Sequence, residues 1–273
     1  RGEHHQAVAF GEKMMELGRA EDDLSWELEA HFSLGLSFFF MGRLRPAREH
    51  LERAVAIYDP EKHHANAFQT IQDVGVTSRS VAALCLWHLG ETELALERSR
   101  QALELADTLA HPFSKAYALG CAAWFNLYLR DTKTALARAR EAVDLSIEQG
   151  FLWWQVWGTI LGGRALADTG TPAVSVTQIK GGIDGWRMTG SGFTIPYFLA
   201  LQAEACRKDG RTDEALALVA EARELIGKTD EGFFAGELHR LEGELRREKN
   251  GRADEAGIEA CFQQALEAAR AEG

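Results

Sequence analysis

The sequence predicts an all-α solenoid: a stack of about six helix pairs preceded by an N-terminal half-unit. Three observations predict it. Small residues recur in three separate registers with a single period. Turn signals fall between apolar helical stretches once per period. Strand-type alternation is nearly absent across the 273 residues.

The first register is Gly35, Ala83, Ala123, Gly163, Ala203 and Gly243, with steps of 48, 40, 40, 40 and 40 residues. The second is Ala47, Ala95, Ala135, Ser175 and Ala215, with steps of 48, 40, 40 and 40. The third, Ala54, Ala102, Ala142, Gly182 and Ala222, lies 7 residues beyond the second each time. Residues i and i+7 share one face of a helix, and a small side chain there lets a neighbouring helix approach closely. One helix pair cannot bury its own apolar face, so stacking must supply the core.

The elements follow in order. A half-unit covers roughly 3–18. Helices are expected over 22–41 and 44–58, 65–89 and 92–109, 113–130 and 132–149, 151–168 and 171–189, 193–209 and 212–227, and 233–249 and 252–271. Stops fall at Met41-Gly42-Arg43, Leu89-Gly90-Glu91, Asp168-Thr169-Gly170, Asp209-Gly210-Arg211 and Asn250-Gly251-Arg252, where Gly or Asn ends a helix. Arg130-Asp131-Thr132 does the same without glycine. The whole chain, 1–273, then forms one repeat domain: a half-repeat 1–21 and repeats 22–62, 63–110, 111–150, 151–191, 192–230 and 231–273.

The irregular 48-residue step places extra residues near Tyr58-Asp59-Pro60-Glu61-Lys62-His63-His64. Asp-Pro stops a helix, so a longer loop is expected, with the next helix starting early. A functional lengthening and a neutral insertion both fit. His111-Pro112 reads as a helix start. Gly181-Gly182 and Gly190-Ser191-Gly192 are not phosphate loops, because no preceding strand and no Gly-Lys-Ser/Thr accompany them; the second is an inter-repeat loop. The last helix is amphipathic, with Ile258, Cys261, Phe262, Leu266 and Ala269 along one side, and caps the stack or docks onto a partner.

Composition excludes several functions. Hydrophobic residues are 46% and charged residues 26%, a globular mixture with ample core material. A net charge of −11 repels phosphate and argues against nucleic-acid binding. No apolar run approaches a membrane span. Cys85, Cys121, Cys206 and Cys261 are far apart in apolar helical contexts, as expected of buried reduced thiols in a cytoplasmic protein. There is no signal peptide and no initiator Met, which suggests a fragment of a longer protein.

No catalytic or metal constellation is readable, and no cofactor is implied. His4-His5 and His63-His64 are adjacent pairs, whose side chains diverge on a helix, so they read as solvated histidines. Glu204 and Glu237 fall on neighbouring inner helices, where paired carboxylates do acid–base work or, more often, bind a cation or a basic side chain. Charge runs such as Glu221-Ala222-Arg223-Glu224 and Arg246-Arg247-Glu248-Lys249 read as solvated faces.

The Gly-Arg-x-x-x-Ala and Leu-Gly-Glu-x-x-Leu-Ala patterns resemble tetratricopeptide repeats, in the 40-residue, MalT-like variant of large bacterial signalling proteins. The resemblance extends over 58 to about 270. It is carried by Gln72-Asp73-Val74-Gly75-Val76, His111-Pro112-Phe113-Ser114-Lys115-Ala116-Tyr117, Pro196-Tyr197-Phe198-Leu199-Ala200-Leu201 and Gly236-Glu237-Leu238-His239-Arg240-Leu241-Glu242-Gly243. These stretches look like the C-terminal repeat region of bacterial proteins that join a class III nucleotidyl cyclase domain, an AAA-type ATPase and such repeats. The family has Pro where Val74 follows Asp73. The resemblance implies a right-handed solenoid and a regulatory module, with any cyclase or ATPase activity elsewhere in a parent protein.

By analogy with such repeats, the first helix of each pair lines a concave surface. The register then aims Trp87, Tyr117, Trp124, Tyr128, Trp157 and Tyr197 at one concavity, with Trp153 a turn away and Arg164, Glu204 and Glu237 adding charge. Apolar walls with a few convergent polar groups describe a peptide or small-molecule site, and Tyr, Trp and Arg dominate interface hot spots. The first reading is a non-catalytic module binding a protein or peptide partner or a neighbouring domain. The second is a small-molecule sensor with an aromatic pocket in repeats 2–5. Homo-oligomerisation through a terminal repeat is compatible with either.

Overall fold

Polar side chains just outside the apolar stretches decide where helices begin. Asp23 accepts the amide of Ser25, Asp73 that of Val76 and Asp131 that of Thr134, each satisfying an N–H with no intrahelical acceptor. His111 accepts from Ser114, and Pro112 occupies the first helical position, where its missing N–H costs nothing. At the other end, Gly150 turns left-handed at φ +74° and Arg130 does the same with a full side chain at φ +58°.

The computed structural model describes residues 3–67 and 71–272. Its elements are α1 (His4–Glu21), α2 (Leu24–Phe40), α3 (Leu44–Ile57), α4 (Pro60–His63), α5 (Val74–His88), α6 (Thr92–Leu109) and α7 (Pro112–Tyr128). They continue with α8 (Thr132–Gln149), α9 (Leu152–Ala167), α10 (Pro172–Met188), α11 (Ile195–Lys208), α12 (Thr212–Thr229), α13 (Ala235–Asn250) and α14 (Glu255–Glu272). Single 3₁₀ turns cover His64–Asn66 and Gly251–Asp254. Among the described residues no strand occurs and no helix is long and apolar enough to cross a membrane.

The chain is a right-handed solenoid of six helix pairs, with α1 packed on α2 as the half-unit. Helices α2, α5, α7, α9, α11 and α13 form the inner layer, and their partners form the outer one. Some outer helices bury only a narrow stripe, such as Ala95, Ala102 and Ala106 on α6 or Ala215, Val219 and Ala222 on α12, whereas α10 also buries Val176, Ile179, Ile183 and Trp186. The repeat registers sit at these contacts. A Cβ on Gly35 would lie 2.6 Å from Leu51 Cγ, and one on Gly182 2.5 Å from Ile160 Cγ1. All four cysteines are buried and free.

Three expectations change. The helix over 65–89 does not start early; residues 68–70 lie outside the described residues, and α5 begins at Val74. Asp73 explains the shift. Its fully buried carboxylate takes the Tyr58 hydroxyl (2.7 Å), the His64 ring (3.3 Å) and the Val76 amide, while its own amide donates to Ser114 Oγ (2.7 Å). The start is thus pinned at 73, and Val74 fills the first helical position, where proline is also accepted. Second, His4 and His63 are buried, not solvated: His4 lies over Phe40 at 5.9 Å, and His63 Nδ1 accepts the Asp59 amide at 2.9 Å. Third, the charge runs are not wholly solvated faces, because Arg223 and Arg246 converge on the nearly buried Glu242 at 2.6 and 2.7 Å.

The solenoid curls until its first repeat meets its last ones. The Phe233 amide donates to the Phe40 carbonyl (3.3 Å), and the Phe40 ring packs edge-on against Phe193 (4.3 Å) and Phe233 (5.3 Å). His4 Nε2 reaches Glu231 Oε1 at 3.3 Å, and the other Glu231 oxygen takes the Thr194 amide at 2.9 Å. A Cβ on Gly232 would lie only 3.1 Å from the Met41 carbonyl, so glycine allows the two backbones to touch. This seam joins α1, α2 and the loops before α11 and α13 into a closed ring.

Candidate functional site

The inner helices repeat their side chains every 40 residues, but the chemistry changes along the stack. One register reads Tyr117, Trp157, Tyr197, Glu237, and another Trp124, Arg164, Glu204, Glu244. The early repeats therefore present aromatics inside the ring, and the late repeats present charge. The change shows in two cavities lined by described residues.

The larger, about 1120 Å³, opens between α5, α7, α9, α11, α13 and α14. Trp87 and Tyr128 form one wall, their rings parallel within 6° at 6.4 Å, and His88 Nε2 lies 3.2 Å from the Tyr128 hydroxyl. Burial holds the His88 imidazole down to about 4, so it is neutral at pH 7. Another part of the lining is an ion-pair ladder. Arg164 Nε donates to Glu204 (2.5 Å) and its Nη1 to Asp168 (3.0 Å). Asp168 also takes Lys208, Arg207 bridges Glu244 and Glu248, and Arg240 bridges Glu237 and Glu244. Burial works against the Arg164 charge, but Glu204 and Asp168 more than offset it and raise its pKa. Lys208 and Arg164 likewise overcome burial and hold Asp168 below its ordinary value.

The smaller cavity, about 380 Å³, lies between α2, α5, α7 and α9 and is almost wholly apolar. Tyr117, Trp124, Trp153, Trp154, Trp157 and Phe193 supply most of its aromatic lining. Burial holds both Tyr117 and Cys121 far above their ordinary pKa values, and hence neutral.

The residues expected to share one concavity are therefore divided. Trp87, Tyr128, Arg164, Tyr197, Glu204 and Glu237 line the larger cavity, while Tyr117, Trp124, Trp153 and Trp157 line the smaller. The cause is the seam. It drives Phe39, Phe40 and Phe233 into the ring, where all three pack on Trp124 (6.0, 6.3 and 5.6 Å), and Trp124 in turn stacks on Tyr197 at 4.7 Å. Glu204 pairs with Arg164 and Glu237 with Arg240, so each carboxylate binds a basic side chain. Among the described residues no group of three or more His, Cys, Asp or Glu is placed to hold a metal ion.

Sequence reasoning missed Phe39, Phe40, Phe193, Phe233 and Phe234. A signal existed for two of them. Phe113, Trp153, Phe193 and Phe233 form a fourth 40-residue register, aromatic throughout, near the entry to each inner helix.

Comparison with known proteins establishes the class. Among solved structures, a Rap protein complexed with competence and sporulation factor superposes with a TM-score of 0.70 at 16% identity, over 99% of this chain and 77% of that one. The apo form of RapI gives 0.65 at 14%, over 98% of both chains. NprR in complex with its cognate peptide NprX gives 0.63 at 13%, over 94% of this chain and 76% of that one. At these identities the likeness is one of fold, and the fold is a TPR-like α-solenoid. No family model matches the chain. An uncharacterised protein of Rhizobium meliloti (strain 1021) is 23% identical over 248 residues, 90% of this chain; the match spans only 24% of that relative's length.

Proposed function

We propose that the chain is a non-catalytic interaction module that grips a peptide, or an extended segment of a protein partner, in its larger cavity. The observation that carries this reading is the composition of that space. An aromatic pair, Trp87 and Tyr128, and a ladder of Arg164, Glu204, Glu237 and Arg240 line one space of about 1120 Å³. Side chains of a peptide pack on the first, and its backbone and charged groups exchange hydrogen bonds with the second. Cationic and anionic groups alternate on the ladder, which suits a peptide of mixed charge and disfavours a polyanion such as nucleic acid. The structures of a Rap protein complexed with competence and sporulation factor and of NprR in complex with its cognate peptide NprX support the reading, since each pairs this fold with a bound factor or peptide.

Two further points belong to the proposal. The repeats at 22–62, 63–110, 111–150, 151–191, 192–230 and 231–273 act as one cytoplasmic domain. That domain serves a larger signalling protein, with a nucleotidyl cyclase or AAA-type ATPase as the output; the much longer Rhizobium relative is in keeping with this.

The test is site-directed photo-crosslinking in the native cell, with a benzophenone side chain at Trp87 or Tyr128 and a control at the outer, exposed Glu104. A partner crosslinked from the inner positions alone, and lost when Arg164→Ala is added, is the expected result. Crosslinks of equal yield from Glu104, or unaffected by Arg164→Ala, would refute the groove reading.

A further inference from the structure

The turn after α7 departs from its counterparts. In the 40-residue register it falls with Gly90, Gly170 and Gly210, all left-handed at φ +77°, +87° and +75°, yet its own residue is Arg130 at φ +58°. Glycine takes that conformation without strain, and an arginine does not. Packing does not compensate. A Cβ at Gly90, Gly170 or Gly210 would meet nothing within 4 Å, so a side chain at this position has open space around its root. Polar contacts do not compensate either. Arg130 is exposed, and among the described residues its guanidinium makes no hydrogen bond and no ion pair.

Arg130 does, however, line the larger cavity. The other cations there are neutralised in place, since Arg164, Arg207, Lys208 and Arg240 each bind a carboxylate of the same lining. Among its described residues that lining holds five arginines and lysines against four carboxylates, and His88 is neutral. Arg130 therefore carries the unbalanced charge. A chain of net charge −11 keeps one unpaired cation on the wall of its groove.

The chemistry of the group selects what it binds. A guanidinium is always charged, only donates, and presents paired N–H groups that match the two oxygens of a carboxylate. Tyr128, one of the two parallel aromatics, lies two residues earlier and lines the same space. Aromatic contact and charge recognition thus fall on neighbouring parts of the wall.

We propose that Arg130 anchors a carboxylate of the bound peptide, either its C-terminus or an Asp or Glu side chain, and so selects among peptides. This rests on the peptide reading of the larger cavity and adds the charge that the peptide must carry.

The probe is an array of randomised heptapeptides held by their N-termini, printed once with free carboxyl ends and once with amidated ends. It is read with the unaltered chain, Arg130→Gly, Arg130→Lys and Arg164→Ala. Arg130→Gly installs the residue of the neighbouring repeats, so a melting temperature no lower than that of the unaltered chain shows an intact fold. Peptides bound by the unaltered chain should share a carboxylate. Binding confined to free ends assigns the C-terminus, and binding kept on amidated ends assigns a side chain. The best binder is then measured in solution as itself and with that carboxylate replaced by its amide. Arg130→Gly or the amide alone should weaken binding about fivefold, the upper range for an exposed ion pair. The two together should weaken it no further than either alone, and Arg130→Lys should keep most of the affinity. The inference is overturned if Arg130→Gly binds as the unaltered chain does, or if the amide weakens both chains equally. The groove reading survives that result when Arg164→Ala has lost the peptide. An array on which no peptide binds, or on which Arg164→Ala matches the unaltered chain, overturns the groove reading and this inference with it.

Discussion

Glu231 holds the seam at a position shielded from water, with its side chain fully buried. One oxygen takes the Thr194 amide at 2.9 Å and the other lies 3.3 Å from His4 Nε2. Glu231→Ala leaves the Thr194 amide unpaired in a site that is 0% exposed, at a cost of about 1–3 kcal/mol, and releases His4 from the loop before α13. We expect a total loss of about 2 kcal/mol, which lowers Tm by about 4–8 °C for a chain of this size. Glu231→Gln keeps an acceptor for the amide and should cost less than about 1 kcal/mol. The loss should also open the ring. Spin labels on cysteines introduced at Lys13 and Gly227, both exposed, report the distance across the seam; the four native cysteines are buried and stay silent. Glu231→Ala should broaden that distance distribution toward longer values. Stability within about 0.5 kcal/mol of the parent, the ordinary range for a surface change, together with an unchanged distance, would refute the claim that this contact closes the ring.

Two predictions concern stability elsewhere. Burial, and then the charge of Asp73, pushes the Glu29 carboxyl up from 4.5 to about 7. The folded chain therefore binds more protons than the unfolded one across that window, and stability falls as pH rises through it. Allowing for partial solvent access, Glu29→Gln should stabilise by about 1–2 kcal/mol at pH 8 and by little at pH 4; equal effects in urea titrations at the two pH values would remove the argument. Gly181 and Gly182 are neighbours with opposite surroundings, since a Cβ on the first meets nothing within 4 Å and one on the second meets Ile160 Cγ1 at 2.5 Å. Gly181→Ala should gain about 0.5–1 kcal/mol from helix propensity, whereas Gly182→Val should lose about 2–4 kcal/mol through overpacking and a β-branched side chain, as measured by thermal melts.

The repeat architecture was legible because small residues at Gly35, Ala83, Ala123, Gly163 and Ala203 sit where helices touch, and close contact leaves a periodic trace in the sequence. The inner register was legible for the same reason. It placed Trp87, Tyr128, Arg164, Tyr197, Glu204 and Glu237 around one space without any coordinates. The seam was not legible. Contacts such as His4 with Glu231, or Phe40 with Phe193 and Phe233, join residues with no shared period. Their partners are set by the curvature accumulated over five repeats. Without the seam, the inner aromatics appear to face one groove, and Trp124 looks available to a ligand when it is buried at 1% exposure. The start of α5 escaped for a local reason: Asp73 draws together Tyr58, His64 and Ser114, and no spacing rule pairs those four residues.

The stacked pair of Trp124 and Tyr197 has a consequence for thermodynamic coupling. Trp124 faces the smaller space and Tyr197 the larger, with their rings 4.7 Å apart. One pair of stacked rings thus lies between two compartments of opposite character. Any molecule that displaces this pair from one side alters the free energy of occupancy on the other, and linkage makes the effect equal in both directions.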